Sequence, residues 1–321
     1  MKTRVTEMLG IEYPIIGGTM QWLSRAELVA AISNAGCLGI IPSATFSSKE
    51  ELRQEIRRTR ELTDKPFAVN INLFPMMRPF SIEDMIDVIH EEGVKIIETS
   101  GRSPEAYMER IKKPGVIHMH KCARVRDAIK AEKLGADVVT VVGTECGGHP
   151  SAEGVTSMVI VPRTVDSVKV PVLAGGGIAD GRGLIAALAL GAEGVVMGTR
   201  FMATKECPFH DKFKEAILAA DVTDTMLLLM SHGAPLRAYR NQQANKVHEL
   251  ESRGAELDEI LPHMSGLLGR AAYQSGDVDG AILAMGQAAG LVREIKTVKQ
   301  VVDDVIEEAR RIHQRIGSLM Q

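Results

Sequence analysis

Several things are scarce in these 321 residues, and each scarcity removes a class of function. Aromatic residues make up only 4% of the chain and Trp22 is the single tryptophan, so no aromatic anchor for an oligomer interface stands out. The four cysteines, Cys37, Cys122, Cys146 and Cys207, are widely spaced and form no C-x-x-C pair. That argues against a disulfide framework and against structural zinc, and no metal site is expected. No long Lys/Arg run occurs and the net charge is −3, so the electrostatic footprint of nucleic-acid binding is missing. No stretch approaches the roughly 20 apolar residues of a membrane span, and the opening MKTRVTEMLG lacks the apolar block of a signal peptide. A cytoplasmic chain acting on a small molecule is the expectation.

What the sequence has in quantity is core. Hydrophobic residues are 45% and charged residues 25%, a globular composition. One unit recurs: an amphipathic stretch, a glycine, then a short apolar run, as in AAISNAGCLGII, IHEEGVKIIE, AEKLGADVVTVV and AALALGAEGVVMG. Gly36, Gly93, Gly135 and Gly191 read as left-handed residues just after helix ends, each feeding a buried strand. With PIIGG, FAVNINL, GVIHMH and VPVLAGG there are eight apolar runs, beginning near Pro14, Cys37, Phe67, Lys95, Val116, Val138, Val170 and Gly194. Eight strands alternating with helices predict an α/β fold, a TIM (β/α)8 barrel. A doubly wound sheet is disfavoured, because no G-x-G-x-x-G follows Ile16 and Asp180 occupies the third glycine position of GGGIADG.

The barrel is expected over residues 1–205 and 291–321. Residues 206–290 carry no barrel period and read as a mainly helical insertion over the mouth. In VKQVVDDVIEEARRIHQRI the spacing of Val298, Val302, Val305, Ala309, Ile312 and Ile316 makes one apolar helix face that would close the outer ring.

Chemistry in such a barrel belongs to the loops at the strand C-termini, and the seventh and eighth often hold a phosphate. Here those loops carry Gly175, Gly176 and Gly177, then Gly198 and Thr199. Glycines let N–H groups converge on an anion, and a following helix N-terminus would add positive potential; tight turns alone are the plainer alternative. At the third strand's end, Asn70 and Asn72 point the same way and can meet a polar ring edge or cap the next loop. At the fifth, His118 and His120 lack a third metal ligand, which makes Lys121 the favoured functional cation. The sixth loop, Gly143-Thr144-Glu145-Cys146-Gly147-Gly148-His149-Pro150, places a histidine behind two glycines, free to exchange protons near neutral pH. Cys146 has no fixed base and reads as a small apolar residue rather than a nucleophile.

GGTMQW, VNINLFP, HKC, ECGGHP, AGGGIADGRG and MGTRF together resemble, in order and spacing, the flavin-binding signature of the nitronate monooxygenase (2-nitropropane dioxygenase) family, over nearly the whole chain. From Lys121 to Pro208 the residues look closest to the NAD(P)H:quinone reductase branch. KTRVTEMLGIEYPI and GDVDGAILAMGQAAGLV are similar to the FMN-dependent enoyl-acyl-carrier-protein (enoyl-ACP) reductases.

The resemblance implies an oxidoreductase with FMN held by Gly18, Thr19, Met20 and Gln21 at the first loop, Asn70 at the third and Lys121 at the fifth. It adds Glu145 to Gly148 at the sixth, with Gly147 and Gly148 included, and the phosphate on Gly175, Gly176, Gly177, Gly198 and Thr199. His149 matches the catalytic histidine, with Lys121 beside it. Pro75 matches the hinge of a loop gating nicotinamide entry. NADH or NADPH would be the reductant; a quinone is the first-ranked substrate, with a nitronate or an enoyl thioester as alternatives. A homodimer is expected on the resemblance alone.

Overall fold

Each apolar run forms a strand in a computed structural model of the chain, which describes residues 1–74 and 80–320. The strands are β1 (Ile15–Gly17), β2 (Gly39–Pro42), β3 (Phe67–Asn72), β4 (Ile96–Ser100), β5 (Ile117–Cys122), β6 (Val138–Val142), β7 (Val172–Gly175) and β8 (Gly194–Met197). All pair in parallel in the order β1-β8-β7-β6-β5-β4-β3-β2. A parallel bridge from Ile16 to Leu38 joins the two outermost strands, so the TIM barrel is nearly closed.

Strand alternation divides the apolar residues between two faces. Ile16, Leu38, Ile40, Met119, Val138 and Leu173 meet inside the barrel. Val139, Val141, Ala174 and Val195 face the helical ring. The four glycines anticipated at helix ends all have positive φ, from 64° at Gly93 to 93° at Gly135. Each follows the last residue of its helix cap, where a Cβ would strain the turn.

A short N-terminal helix, Arg4–Leu9, was not legible in the sequence. Thr3 and Thr6 close a capping box at its start, and Val5, Leu9 and Ile11 enter the interior cluster, plugging the end of the barrel opposite the catalytic loops. The closing helix, Val298–Leu319, buries Val298, Val302, Val305 and Ala309 as anticipated, adds Val301 and Ile306, and leaves Ile316 exposed. It packs tightly on the helix Gly181–Ala189: a Cβ at Gly181 would stand 2.5 Å from the Ala309 nitrogen.

Between β8 and that helix lie the helices Asp211–Ala219, Gln242–Ser252 and Gly266–Ser275, and also an antiparallel pair, β9 (Thr225–Leu228) with β10 (Leu236–Tyr239). The hairpin was not anticipated in a stretch read as largely helical. Among the described residues no helix is long and apolar enough to cross a membrane.

Candidate active site

The loops following the strands enclose a cavity of about 1250 Å³. Gly18, Thr19, Met20, Gln21, Asn70, Lys121, Glu145, Gly147, Gly148, His149, Gly175, Gly176, Gly177, Gly198 and Thr199 all line it. Of the residues singled out from the sequence, only Pro75 lies outside the described residues.

One wall is built from side chains. Glu98 of β4, fully buried, receives three donors on a single oxygen, Oε2. Thr19 Oγ1 donates at 2.7 Å, Asn70 Nδ2 at 2.6 Å and Lys121 Nζ at 3.2 Å. Lys121 Nζ also reaches Thr19 Oγ1 at 3.3 Å, and Asn70 Nδ2 reaches Ser100 Oγ at 3.2 Å. Glu98 Oε1 is buried and has no partner among the described residues. The first, third and fifth loops are thus tied to one carboxylate, which holds the Lys121 ammonium in place.

The facing wall is built from backbone. Gly176 and Gly177 have φ of 99° and 72°, which only glycine adopts readily, and Gly198 has open space where a Cβ would be. The N–H groups of Gly176, Gly177, Gly198 and Thr199 meet no protein acceptor among the described residues. Gly18 packs against Gly198 so closely that a Cβ on it would come within 2.9 Å of the Gly198 Cα. One expectation needs correcting. The helix after β7 lends no positive potential to the cavity, because Asp180 accepts from the Arg182 and Gly183 N–H groups and Glu308 from Gly181 N. The open N–H groups at this end come instead from the Gly198-Thr199 turn.

The sixth loop stands between the two walls. His149 is exposed to the cavity, and its ring lies 5.2 Å from that of Phe74. Surrounding protein desolvates it and lowers its pKa, so the imidazole is neutral at pH 7. Burial pushes the Cys146 thiol up to about 12, which fits the apolar reading and not a nucleophile. The Glu145 carboxylate caps the helix Ser157–Val165, accepting from Ser157 N at 2.9 Å. Ser157 Oγ in turn donates to the carbonyls of Gly175 and Gly176, linking the sixth loop to the seventh.

This cavity can hold a phosphate-bearing ring system between a wall that carries one ammonium, Lys121, and a backbone cradle, with a neutral imidazole beside it. The family model described as nitronate monooxygenase matches residues 2–76 and 75–308. The chain belongs to the nitronate monooxygenase family. Within it, a probable nitronate monooxygenase of Staphylococcus saprophyticus is 33% identical over 98% of this chain and 99% of that protein. A (3aS,4S,5R,7aS)-5-hydroxy-7a-methyl-1-oxo-octahydro-1H-indene-4-carboxyl-CoA dehydrogenase of Rhodococcus jostii is 32% identical, covering 99% of both. FabK of Thermotoga maritima superposes with a TM-score of 0.92 at 38% identity over 99% of each chain. The protein is an oxidoreductase.

Placed on this nitronate monooxygenase fold, the other sequence candidates sort plainly. His118 and His120 project from the opposite face of β5 to Lys121 and share Thr99 Oγ1, each at 2.8 Å. Burial lowers their pKa values to about 3 and about 4, so both rings are neutral. Trp22 lines the cavity in a left-handed conformation, φ 69°, with Arg270 of the helix Gly266–Ser275 stacked 5.3 Å over its ring. Glu98 and Arg237 escaped the sequence reading. For Glu98 a signal existed: an acid in the middle of the buried run KIIETS, which strand alternation aims inward. For Arg237 there was none, since the sixth-loop residue Thr144 whose carbonyl it holds lies 93 residues away in sequence.

Proposed function

We propose that the protein is an FMN-dependent reductase that draws on NADH or NADPH and reduces the conjugated double bond of an enoyl thioester. The observation that carries this is the cavity. At about 1250 Å³ it exceeds what one ligand of ordinary size requires, and it runs from the glycine cradle past His149 to Arg102 and Arg124. A flavin and a long substrate fit there together. The phosphate part rests on the N–H groups of Gly176, Gly177, Gly198 and Thr199, which have no acceptor among the described residues. The thioester part rests on the chain's ends, which resemble the enoyl-ACP reductases, and on the CoA thioester named for the Rhodococcus relative. On that ground the thioester is placed ahead of the quinone that the sequence put first.

When bound, FMN supplies the two-electron chemistry. The chain's own residues position and tune it. Lys121, fixed by Glu98, would present a cation to the ring, and Asn70 and Thr19, held by the same carboxylate, would line the same side of it. Gln21 is braced by donating Nε2 to the Ala44 carbonyl at 3.0 Å. His149, neutral, can donate N–H to a thioester carbonyl and stabilise the negative charge that develops on its oxygen. The segment 206–290 acts as a lid: Ser265, Gly266 and Tyr273 line the cavity and shield it from water.

A second reading, oxidation of nitronates, is favoured by the family match and by the Staphylococcus relative. Anaerobic mixing of the purified protein with NADH, NADPH or a primary nitronate separates the two. Bleaching of the flavin band by a nicotinamide, followed by recolouring with crotonyl-CoA, is expected. Recolouring by menadione alone would restore the quinone reading, bleaching by nitronate alone would establish the second, and a flavin-free preparation that takes up no FMN would sink both.

A further inference from the structure

An arginine is seldom buried without a carboxylate partner. Arg237 of β10 is 7% exposed and makes no ion pair among the described residues. Its donors go to neutral oxygens, Nε to the Thr144 carbonyl at 2.8 Å and Nη1 to Thr225 Oγ1 at 3.0 Å. Its backbone pairs with Gly148 in both directions, Arg237 N to Gly148 O at 2.7 Å and Gly148 N to Arg237 O at 3.1 Å. A single residue therefore grips the sixth loop at two points. Between them lie Glu145, Cys146 and Gly147, and His149 follows directly. Gly148, the residue before the histidine, has φ of 84° with nothing near its Cβ position, and its N–H and carbonyl are both held by the backbone of Arg237. Desolvation lowers the guanidinium pKa, a cost that a spacer residue would have no reason to carry.

We propose that Arg237 is a positioning residue for His149, and that through it the segment after β8 sets where the imidazole stands in the cavity. The inference rests on the reading of His149 given above. Lysine cannot replace it, because one ammonium does not span both the Thr144 carbonyl and the Thr225 hydroxyl as a planar fork does.

The test is a double-mutant cycle of Arg237→Lys and Arg237→Met with His149→Ala, reading kcat, KM and the pH profile of NAD(P)H turnover with crotonyl-CoA, or with menadione if the thioester is not reduced. Hydrogen exchange over residues 143–149 is followed alongside. Each Arg237 substitution is expected to lower kcat by about tenfold or more with KM nearly unchanged, as for a misplaced reacting group. It should shift the acid limb of the profile, speed exchange in the loop, and add no further loss once His149 is absent. Equal losses with and without His149, or reduced stability with kcat and the pH limb intact, would overturn the proposal and leave Arg237 a structural residue. His149→Ala without effect on turnover would remove the reading of His149 itself, and the inference with it. If the Arg237 variants do not fold, Thr225→Val carries the same cycle by removing only the Nη1 acceptor, with a smaller loss of kcat expected.

Discussion

The two walls of the cavity solve the same problem in opposite ways. On the β3–β5 side, Asn70, Glu98 and Lys121 present functional groups that are hydrogen-bonded to each other before any ligand arrives. On the β7–β8 side, Gly176, Gly177, Gly198 and Thr199 present N–H groups with no protein acceptor among the described residues. The first wall, apart from Glu98 Oε1, is hydrogen-bonded within itself and so contributes to the fold. The second is left open and gains from binding. Mutations in the first should therefore be read in stability, and mutations in the second in cofactor affinity.

The largest effect is expected where the first wall is broken. Lys121→Met leaves the Glu98 carboxylate buried without its cation, and a loss of about 3 kcal/mol is expected from removing one partner of a buried pair. Urea unfolding measures it, and the double variant Glu98→Gln with Lys121→Met should recover a good part. If the double variant is no more stable than the single, the wall is not a paired unit.

Next comes the loop between the walls. His149→Ala should lower kcat by about a hundredfold, the scale of one lost donor to a developing oxyanion. Because desolvation by the surrounding protein lowers the His149 pKa, the ring stays neutral as pH falls through the ordinary imidazole value of about 6.5, and protonates only below it. Turnover that needs the neutral ring should thus hold from pH 8 to that value and decline under it, with the decline absent in the variant.

On the open wall the effects are smaller and change character. Gly176→Ala forces a side chain into φ of 99°, its Cβ 2.9 Å from Ser157 Oγ and 3.1 Å from Gly143 N. The left-handed penalty alone is about 1–2 kcal/mol, so FMN affinity by fluorescence titration should fall about tenfold, with some loss of stability. Gly198→Ala sharpens the contrast. Its φ is ordinary and its Cβ would meet nothing within 4 Å, so the urea midpoint should be unchanged while FMN binds more weakly. A Gly198→Ala protein that unfolds earlier yet binds FMN normally would reverse the assignment of the wall.

The sequence made the barrel legible because each strand is a continuous apolar run bounded by a glycine turn, so that expected and observed strand starts differ by two residues at most. The glycine cradle was legible for the same reason, since nothing but glycine reads as an absence of side chain. Features that depend on distant partners were hidden. The Arg4–Leu9 plug spans too few residues to show a period, and its apolar face is matched by strands as far off as Val196. β9 and β10 are four residues each and gain their register from Gly148 and Ala284, neither of which is local. Glu145 and Asp180 sit in binding-like motifs, yet cap helices. Composition cannot distinguish a carboxylate aimed at a ligand from one aimed at a helix end.

The lone tryptophan gives this chain an optical handle. Trp22 lines the cavity, and its indole lies beneath the guanidinium of Arg270, which belongs to the helix Gly266–Ser275. All tryptophan emission from the protein therefore arises at one point, where the first loop meets the segment that follows β8. Quenching by a flavin in the cavity and brightening when that helix lifts from the ring would be read from a single, unlabelled chromophore.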